Sequence, residues 1–105
     1  MEFNEYYSIK ATKDFDKLVK KRLSRDLKKA LDEKIKLLSR QLNYPSLNTK
    51  KLNVSQSFLK ARGINEVWEF RINMGFRCIF YVNENEKQII LVFVGNHEDI
   101  RKFAK

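Results

Sequence analysis

Val67-Trp68-Glu69-Phe70-Arg71-Ile72-Asn73-Met74-Gly75-Phe76-Arg77-Cys78-Ile79-Phe80 carries two strand signatures joined by a turn. In the first, Trp68, Phe70 and Ile72 fall on one face and Glu69 and Arg71 on the other, because successive side chains of a strand point to opposite sides. In the second, Phe76, Cys78, Phe80 and Val82 share a face opposite Arg77. The turn length decides how the two meet. A two-residue Met74-Gly75 turn would set Ile72 against Arg77 and spoil both faces. A three-residue turn, Asn73-Met74-Gly75 with Gly75 at positive φ, sets Ile72 on Phe76, Phe70 on Cys78 and Trp68 on Phe80. That register packs one apolar face and predicts Arg71 directly across from Arg77 on the other. Facing like charges cost up to about 1 kcal/mol. The offset is either Glu69, beside Arg71 and diagonal to Arg77, or a bound anion, since two guanidinium forks make a good phosphate clamp.

Downstream, Gln88 to Val94 reads as a third strand of this group, with the all-apolar run Ile89-Ile90-Leu91-Val92-Phe93-Val94 at its centre. Past Gly95, Asn96 is placed to cap a short final helix, with Asp99 at the third position of its first turn. His97 therefore sits where a strand end feeds a helix start. A neutral imidazole there can take or give a proton near pH 7; the plain alternative is a surface or capping histidine. The chain has no second histidine and one cysteine, Cys78. Neither a metal site nor an internal disulfide is expected, and no cofactor is implied.

Upstream, Tyr6 to Ala11 reads as a short first strand, with Thr12 or Asp14 as a helix cap after it. Phe15, Leu18, Val19, Leu23, Leu27, Ala30, Leu31, Ile35, Leu38 and Leu42 then recur at helical spacing. One unbroken helix of that length would run roughly 43 Å, overhanging a domain whose radius of gyration is about 13 Å. Ser24, a good N-cap, offers the break. The pattern predicts a helical hairpin, first to about Arg22 and then from about Ser24 to Leu42. Tyr44-Pro45-Ser46 ends it, because the residue before proline is pushed out of helical geometry. Leu47 to Asn65 looks like a polar surface connection carrying Lys50, Lys51, Lys60 and Arg62. The order is β-αα-βββ-α: an α+β fold with the helical hairpin packed on one face of a mainly antiparallel four-stranded sheet.

At 105 residues the chain has room for one domain, residues 1–105, and one core. No apolar run approaches the roughly 20 residues of a membrane span, so no membrane partner is expected. The opening Met1-Glu2-Phe3-Asn4-Glu5 is acidic and polar, unlike a secretory signal. With one cysteine, a reducing cytoplasm is the expected compartment. Twenty-two basic residues stand against 13 acidic ones, a formal +9. Such an excess repels itself in the compact state and is relieved by a polyanion or an acidic protein.

The hairpin Val67–Arg77 and the segment Val94-Gly95-Asn96-His97-Glu98-Asp99-Ile100 together resemble the RelE/ParE toxin superfamily, in the branch whose last strand ends in a Gly-x-His-Asp-Asp-like motif. The β-αα-βββ-α order fits too, so the resemblance spans nearly the whole chain. Its aromatic-x-x-Arg … Gly-aromatic-Arg hairpin is the specific part; the helical half is generic. The resemblance implies the toxin of a type II toxin–antitoxin system: a metal-independent endoribonuclease (mRNA interferase) that cuts mRNA on the ribosome. The RNA's own 2′-OH attacks the adjacent phosphate, and basic side chains stabilise the transition state. By position, Arg71 and Arg77 match the family's two hairpin arginines and His97 its basic catalytic position after the last strand. Lys50 and Lys51 fall where substrate-binding lysines often stand, with Arg62 and Arg101 as further RNA contacts. The implied partners are mRNA, the ribosome and an acidic antitoxin.

Two departures from that pattern stand out. A tyrosine often follows the histidine by four residues, and here that position is Arg101; the role is unfilled unless Tyr81, on the face of Arg77, takes it. Glu69 is either a general base or the counter-ion of the arginines. Two other readings share the fold: a ParE-like inhibitor of DNA gyrase, and a catalytically inert module that binds RNA or antitoxin.

Overall fold

The computed structural model describes residues 7–40 and 45–103. β1 (Ser8–Ala11) leads into α1 (Lys13–Arg22), capped by Thr12, whose hydroxyl accepts a hydrogen bond from the Phe15 amide at 3.1 Å. Of the two caps expected, Thr12 takes the role. Helical geometry stops at Leu23, which is extended. It restarts as α2 (Arg25–Arg40) under Ser24, whose Oγ accepts from the Leu27 amide at 3.2 Å. The hairpin thus breaks where the cap residue predicts. A 3-10 turn (Pro45–Leu47) precedes β2 (Lys50–Lys51), α3 (Gln56–Arg62), β3 (Glu66–Arg71), β4 (Phe76–Asn83), β5 (Gln88–Asn96) and α4 (His97–Phe103). Tyr6, Leu42 and Tyr44, expected at element ends, lie outside the described residues.

The sheet has five strands in the order β1-β5-β4-β3-β2, with β1 parallel to β5 and the other pairs antiparallel. Four were expected; the fifth is β2, which pairs Lys50 with Glu69 and Lys51 with Trp68. Two residues have no period to recognise, so this strand left no pattern in a stretch read as connection. The same stretch holds α3, capped by the Ser55 hydroxyl at 3.1 Å from the Phe58 amide and closed by Gly63 at φ 63°.

The β3–β4 hairpin has the register the sequence dictates. Phe70 pairs with Cys78, Trp68 with Phe80 and Arg71 with Arg77, and the Ile72 amide closes the turn on the Phe76 carbonyl at 2.9 Å. Gly75 does not take the expected positive φ. Instead Asn73 Oδ1 accepts from the Gly75 and Phe76 amides, both at 2.8 Å. That side-chain turn reverses the chain with no left-handed residue.

Helices cover both faces of the sheet, not one. Phe15, Leu23, Leu31 and Leu38 of the helical hairpin bury Phe70, Ile72, Cys78, Phe80, Val82 and Val94. On the opposite face, Phe58 and Leu59 of α3 and Ile100 and Phe103 of α4 pack on Val67, Ile79, Val92 and Phe93. The physical reason is that β4 and β5 are apolar on both sides, as strands buried on both faces are. A bulge assists: Ile79 pairs with Phe93 and Phe80 with Leu91, leaving Val92 as the extra residue on β5. The phase shift turns Val92 and Phe93 together towards α4 and returns Val94 to the hairpin side. Leu38, Leu47, Phe70 and Phe80 are wholly buried, and each contributes about 1.5–3 kcal/mol of hydrophobic stabilisation. The Cα radius of gyration is 12.9 Å. Among the described residues no helix is long and apolar enough to cross a membrane.

Candidate functional site

The site begins at the arginine pair. Arg71 and Arg77 face each other across β3 and β4, on the α3/α4 side of the sheet. Glu69 stands on that side too, two residues before Arg71, and its neighbour on β2 is Lys50. Three cations therefore share this face of the sheet with one carboxylate. Glu69 is buried, and its Oε1 accepts from Arg77 Nη1 at 3.2 Å, with the two side chains only 7% and 19% exposed. Counter-ion and clamp were the alternatives for offsetting the pair, and the geometry divides them. Arg77 has its carboxylate, while Arg71 Nε is buried without a hydrogen-bond partner among the described residues. An unmet buried donor costs on the order of 1–3 kcal/mol.

β5 and α4 supply the histidine. The Asn96 side chain accepts from the Asp99 amide and Asp99 Oδ2 accepts from the Asn96 amide, both at 3.0 Å: the reciprocal cap expected from the sequence. Gly95 is buried beneath this cap. A Cβ built there would lie 2.6 Å from Asp99 Cβ and 3.0 Å from the Phe93 ring. Arg22, at the end of α1, closes over the cap with Nη1 donating to Asp99 Oδ2 at 3.0 Å and its guanidinium 5.6 Å from the Phe93 ring centre. His97, inside the capped turn, is exposed.

A cleft of about 270 Å³ gathers Lys50 from β2, Glu69 from β3, and His97 and Arg101 from α4, with Leu52 and Ile100 as its apolar wall. Three elements thus bring four of the expected residues together, and Asn53, which no sequence signal marked, joins them. Arg101 also donates to Glu98 at 3.2 Å.

Other expected residues lie elsewhere. Lys51 neighbours Lys50 but points to the opposite face, where it pairs with Glu66 at 3.1 Å. Burial pushes the Glu66 carboxyl up, but hydrogen bonds from Trp68 and Lys51 outweigh it and hold the pKa below the usual value. Arg62 lies over the Phe58 ring at 3.6 Å and donates to the Phe58 carbonyl at 3.1 Å, away from the cleft. Tyr81 shares the face of Arg77, with Ile79 between them in β4. Its ring packs edge-on against Phe58 at 6.2 Å and lies 6.4 Å from Phe103. Tyr81 is a half-buried aromatic packed on the α3/α4 side of the sheet, and it is not among the residues that line the cleft. Cys78 is buried, which pushes its thiol pKa well up and keeps it protonated and unreactive. Arg22 carries no local signal, because its partner lies 77 residues away.

No protein-family model and no curated protein matches this sequence. Solved structures do match. A chain of the archaeal RelE–RelB complex from Pyrococcus horikoshii OT3 superposes with a TM-score of 0.67 at 18% identity, over 87% of this chain and 94% of that one. YafQ from E. coli gives 0.62 at 16% identity, over 90% and 97%. The fold is that of the RelE-type toxins. The RelB–RelE antitoxin–toxin complex from Methanococcus jannaschii gives 0.63 at 21% identity, over 90% and 98%. The RelE-type fold thus accounts for both halves of the chain, the generic helical hairpin as well as the arginine-bearing strands.

Proposed function

We propose that this protein is the toxin of a type II toxin–antitoxin pair and that it cuts mRNA in the cytoplasm by driving the RNA's 2′-OH onto the adjacent phosphate. The observation that carries the reading is the convergence of Lys50, His97 and Arg101 on one cleft beside the Arg71–Arg77 pair. In this reaction the 2′-oxygen–phosphorus bond forms and the phosphorus–5′-oxygen bond breaks. The products are a 2′,3′-cyclic phosphate and a 5′-OH. Negative charge grows on the phosphoryl oxygens, and fixed cations lower that barrier because they need no reorganisation. Arg71, Lys50 and Arg101 are the groups for that charge, with Arg77 tethered by Glu69. His97 moves the proton, from the 2′-OH or to the departing 5′-oxygen. Glu69, buried and engaged by Arg77, serves as counter-ion. The partner that restrains such a toxin is an acidic antitoxin laid over the cleft.

Purified protein added to translating ribosomes, with mapping of RNA ends, tests the reading. Cleavage should leave 5′-OH ends, and His97→Gln should slow single-turnover cutting by at least about 10². Intact mRNA with inhibited DNA gyrase would replace the proposal with the ParE-like reading. The engagement of Arg77 by Glu69, and a cleft with no tyrosine among the described residues that line it, favour one rival, a binding module without chemistry. In that case RNA binds and no new ends appear.

A further inference from the structure

A second concentration of positive charge lies outside the cleft. The thirteen positions from Lys17 to Lys29 hold seven basic residues and one acidic residue, Asp26, a net +6 of the chain's formal +9. They straddle the corner where α1 ends and α2 begins. Phe15, Leu23, Leu27 and Leu31 turn inwards to the core, so Lys17, Lys20, Lys21, Arg25 and Lys29 are exposed on the outside.

Helix electrostatics explain only part of this. Lys20, Lys21 and Arg22 occupy the last turn of α1, where cations complement the negative end of the helix dipole. Arg25 and Lys28 sit in the first turn of α2, at the positive end, where a cation is unfavourable and Asp26 is the sole acidic residue. Solubility does not require such a run, since mixed signs serve it better, as Asp32, Glu33, Lys34 and Lys36 show further along the same helix. Among the described residues, the one ion pair made by residues 17–29 is Arg22 with Asp99. The corner carries like charge at an electrostatic cost that no other ion pair among the described residues relieves.

We propose that this α1–α2 corner is a docking surface for the phosphate backbone of RNA, an exosite beside the cleft. The inference rests on reading the cleft as an RNA site. Two observations favour RNA over an acidic protein. Residues 17–29 contain no aromatic side chain. Of their apolar side chains Leu23 is buried and Leu18, Val19 and Leu27 are half-buried against the core, so cations make up most of the exposed groups of the corner. Protein interfaces are built on buried apolar and aromatic anchors, whereas backbone binding needs only cations that displace counterions. The corner also adjoins the cleft through one turn of helix. Arg22 holds Asp99 on one flank of α4, and His97 and Arg101 line the cleft on the other. A helix is about 10 Å across, a gap that a few nucleotides bridge, so a strand lying in the cleft continues onto the corner.

The test compares wild type with Arg25→Gln/Lys28→Gln/Lys29→Gln for binding to 2′-O-methyl RNA, which keeps every phosphate and lacks the attacking hydroxyl. Two probes are titrated across salt, one of about four nucleotides that fits the cleft alone and one of about 24, with counterion release read from the salt slope. The triple variant should lose on the order of tenfold or more in affinity for the long probe. Its slope against log salt should fall by about 2, three contacts at roughly 0.7 each for a single strand. The short probe should bind as before, and the thermal midpoint should hold or rise as repulsion is relieved. Unchanged affinity for the long probe overturns the exosite, and so does an equal loss for both probes. Retained RNA affinity with loss of binding to a poly-glutamate peptide overturns it in favour of an acidic protein. Because the readout is binding, it stands whether or not the protein cuts. Cleavage with no exosite effect sinks this inference alone.

Discussion

Arg71 and Arg77 face each other with matching chemistry and opposite circumstances, and single substitutions separate them. Arg77→Ala leaves Glu69, 7% exposed, without its 3.2 Å partner, and breaking a buried pair from one side costs about 3–5 kcal/mol at most. The expected loss is on the order of 2 kcal/mol, read from the urea midpoint. Position in the sequence alone marks Arg77 as a charge off the apolar face of its strand; the burial of Glu69 beside it is what makes its removal costly. Arg71→Gln removes a donor that has no partner among the described residues, so the fold should tolerate it within about 1 kcal/mol while RNA cleavage or binding falls. Equal destabilisation by both variants would refute the division. Glu66 offers a pH test. Its carboxyl titrates below the usual value in the folded protein, so its stabilisation is present above the unfolded-state pKa and is lost as pH falls through the folded one. Glu66→Gln should thus be less stable than wild type at pH 7, with the gap closing in acid. A gap independent of pH would mean that shape and not charge is lost.

At the scale of elements, α4 is held by close approach. Gly95→Ala forces a Cβ to within 2.6 Å of Asp99, and the strain of such overpacking is about 1–3 kcal/mol. The relief is movement of α4, carrying His97 with it. Hydrogen exchange should show α4 amides losing protection before those of β4, and exchange unchanged in α4 would refute the contact. The cap itself was legible in Asn96 and Asp99, as were the α1–α2 break at Ser24 and the arginine register, because each follows from local chemistry or a two-residue period. β2 and α3 were not. β2 is two residues long, and α3 is seven residues in a polar stretch whose apolar Phe58 and Leu59 gain meaning only against the far face of the sheet. For the same reason the cleft was half legible. His97, Glu69 and the arginines announce themselves, while the opposed facing of Lys50 and Lys51 depends on a strand that the sequence hides.

Across the whole molecule, charge and sheet order act together. A net +9 on a domain with a 12.9 Å radius of gyration repels itself at low salt. Raising ionic strength from about 0.01 M to about 0.15 M shortens the screening length from roughly 30 Å to roughly 8 Å. The thermal midpoint should therefore rise over that range, against the usual weakening of salt bridges. A fall would mean that the four ion pairs seen among the described residues outweigh the repulsion.

β5 lies between β1 and β4, although every other strand precedes it in sequence. During synthesis, the first strand and the hairpin emerge with no means of joining, because the strand that unites them is made after both. β4 holds Arg77, and α4, which follows β5 directly, holds His97. A nascent chain therefore carries no finished cleft, since His97 and Arg101 join Lys50 and Glu69 only once residues 88–101 have left the tunnel. The interval between synthesis and folding is a window in which a partner already present can bind before the cleft exists.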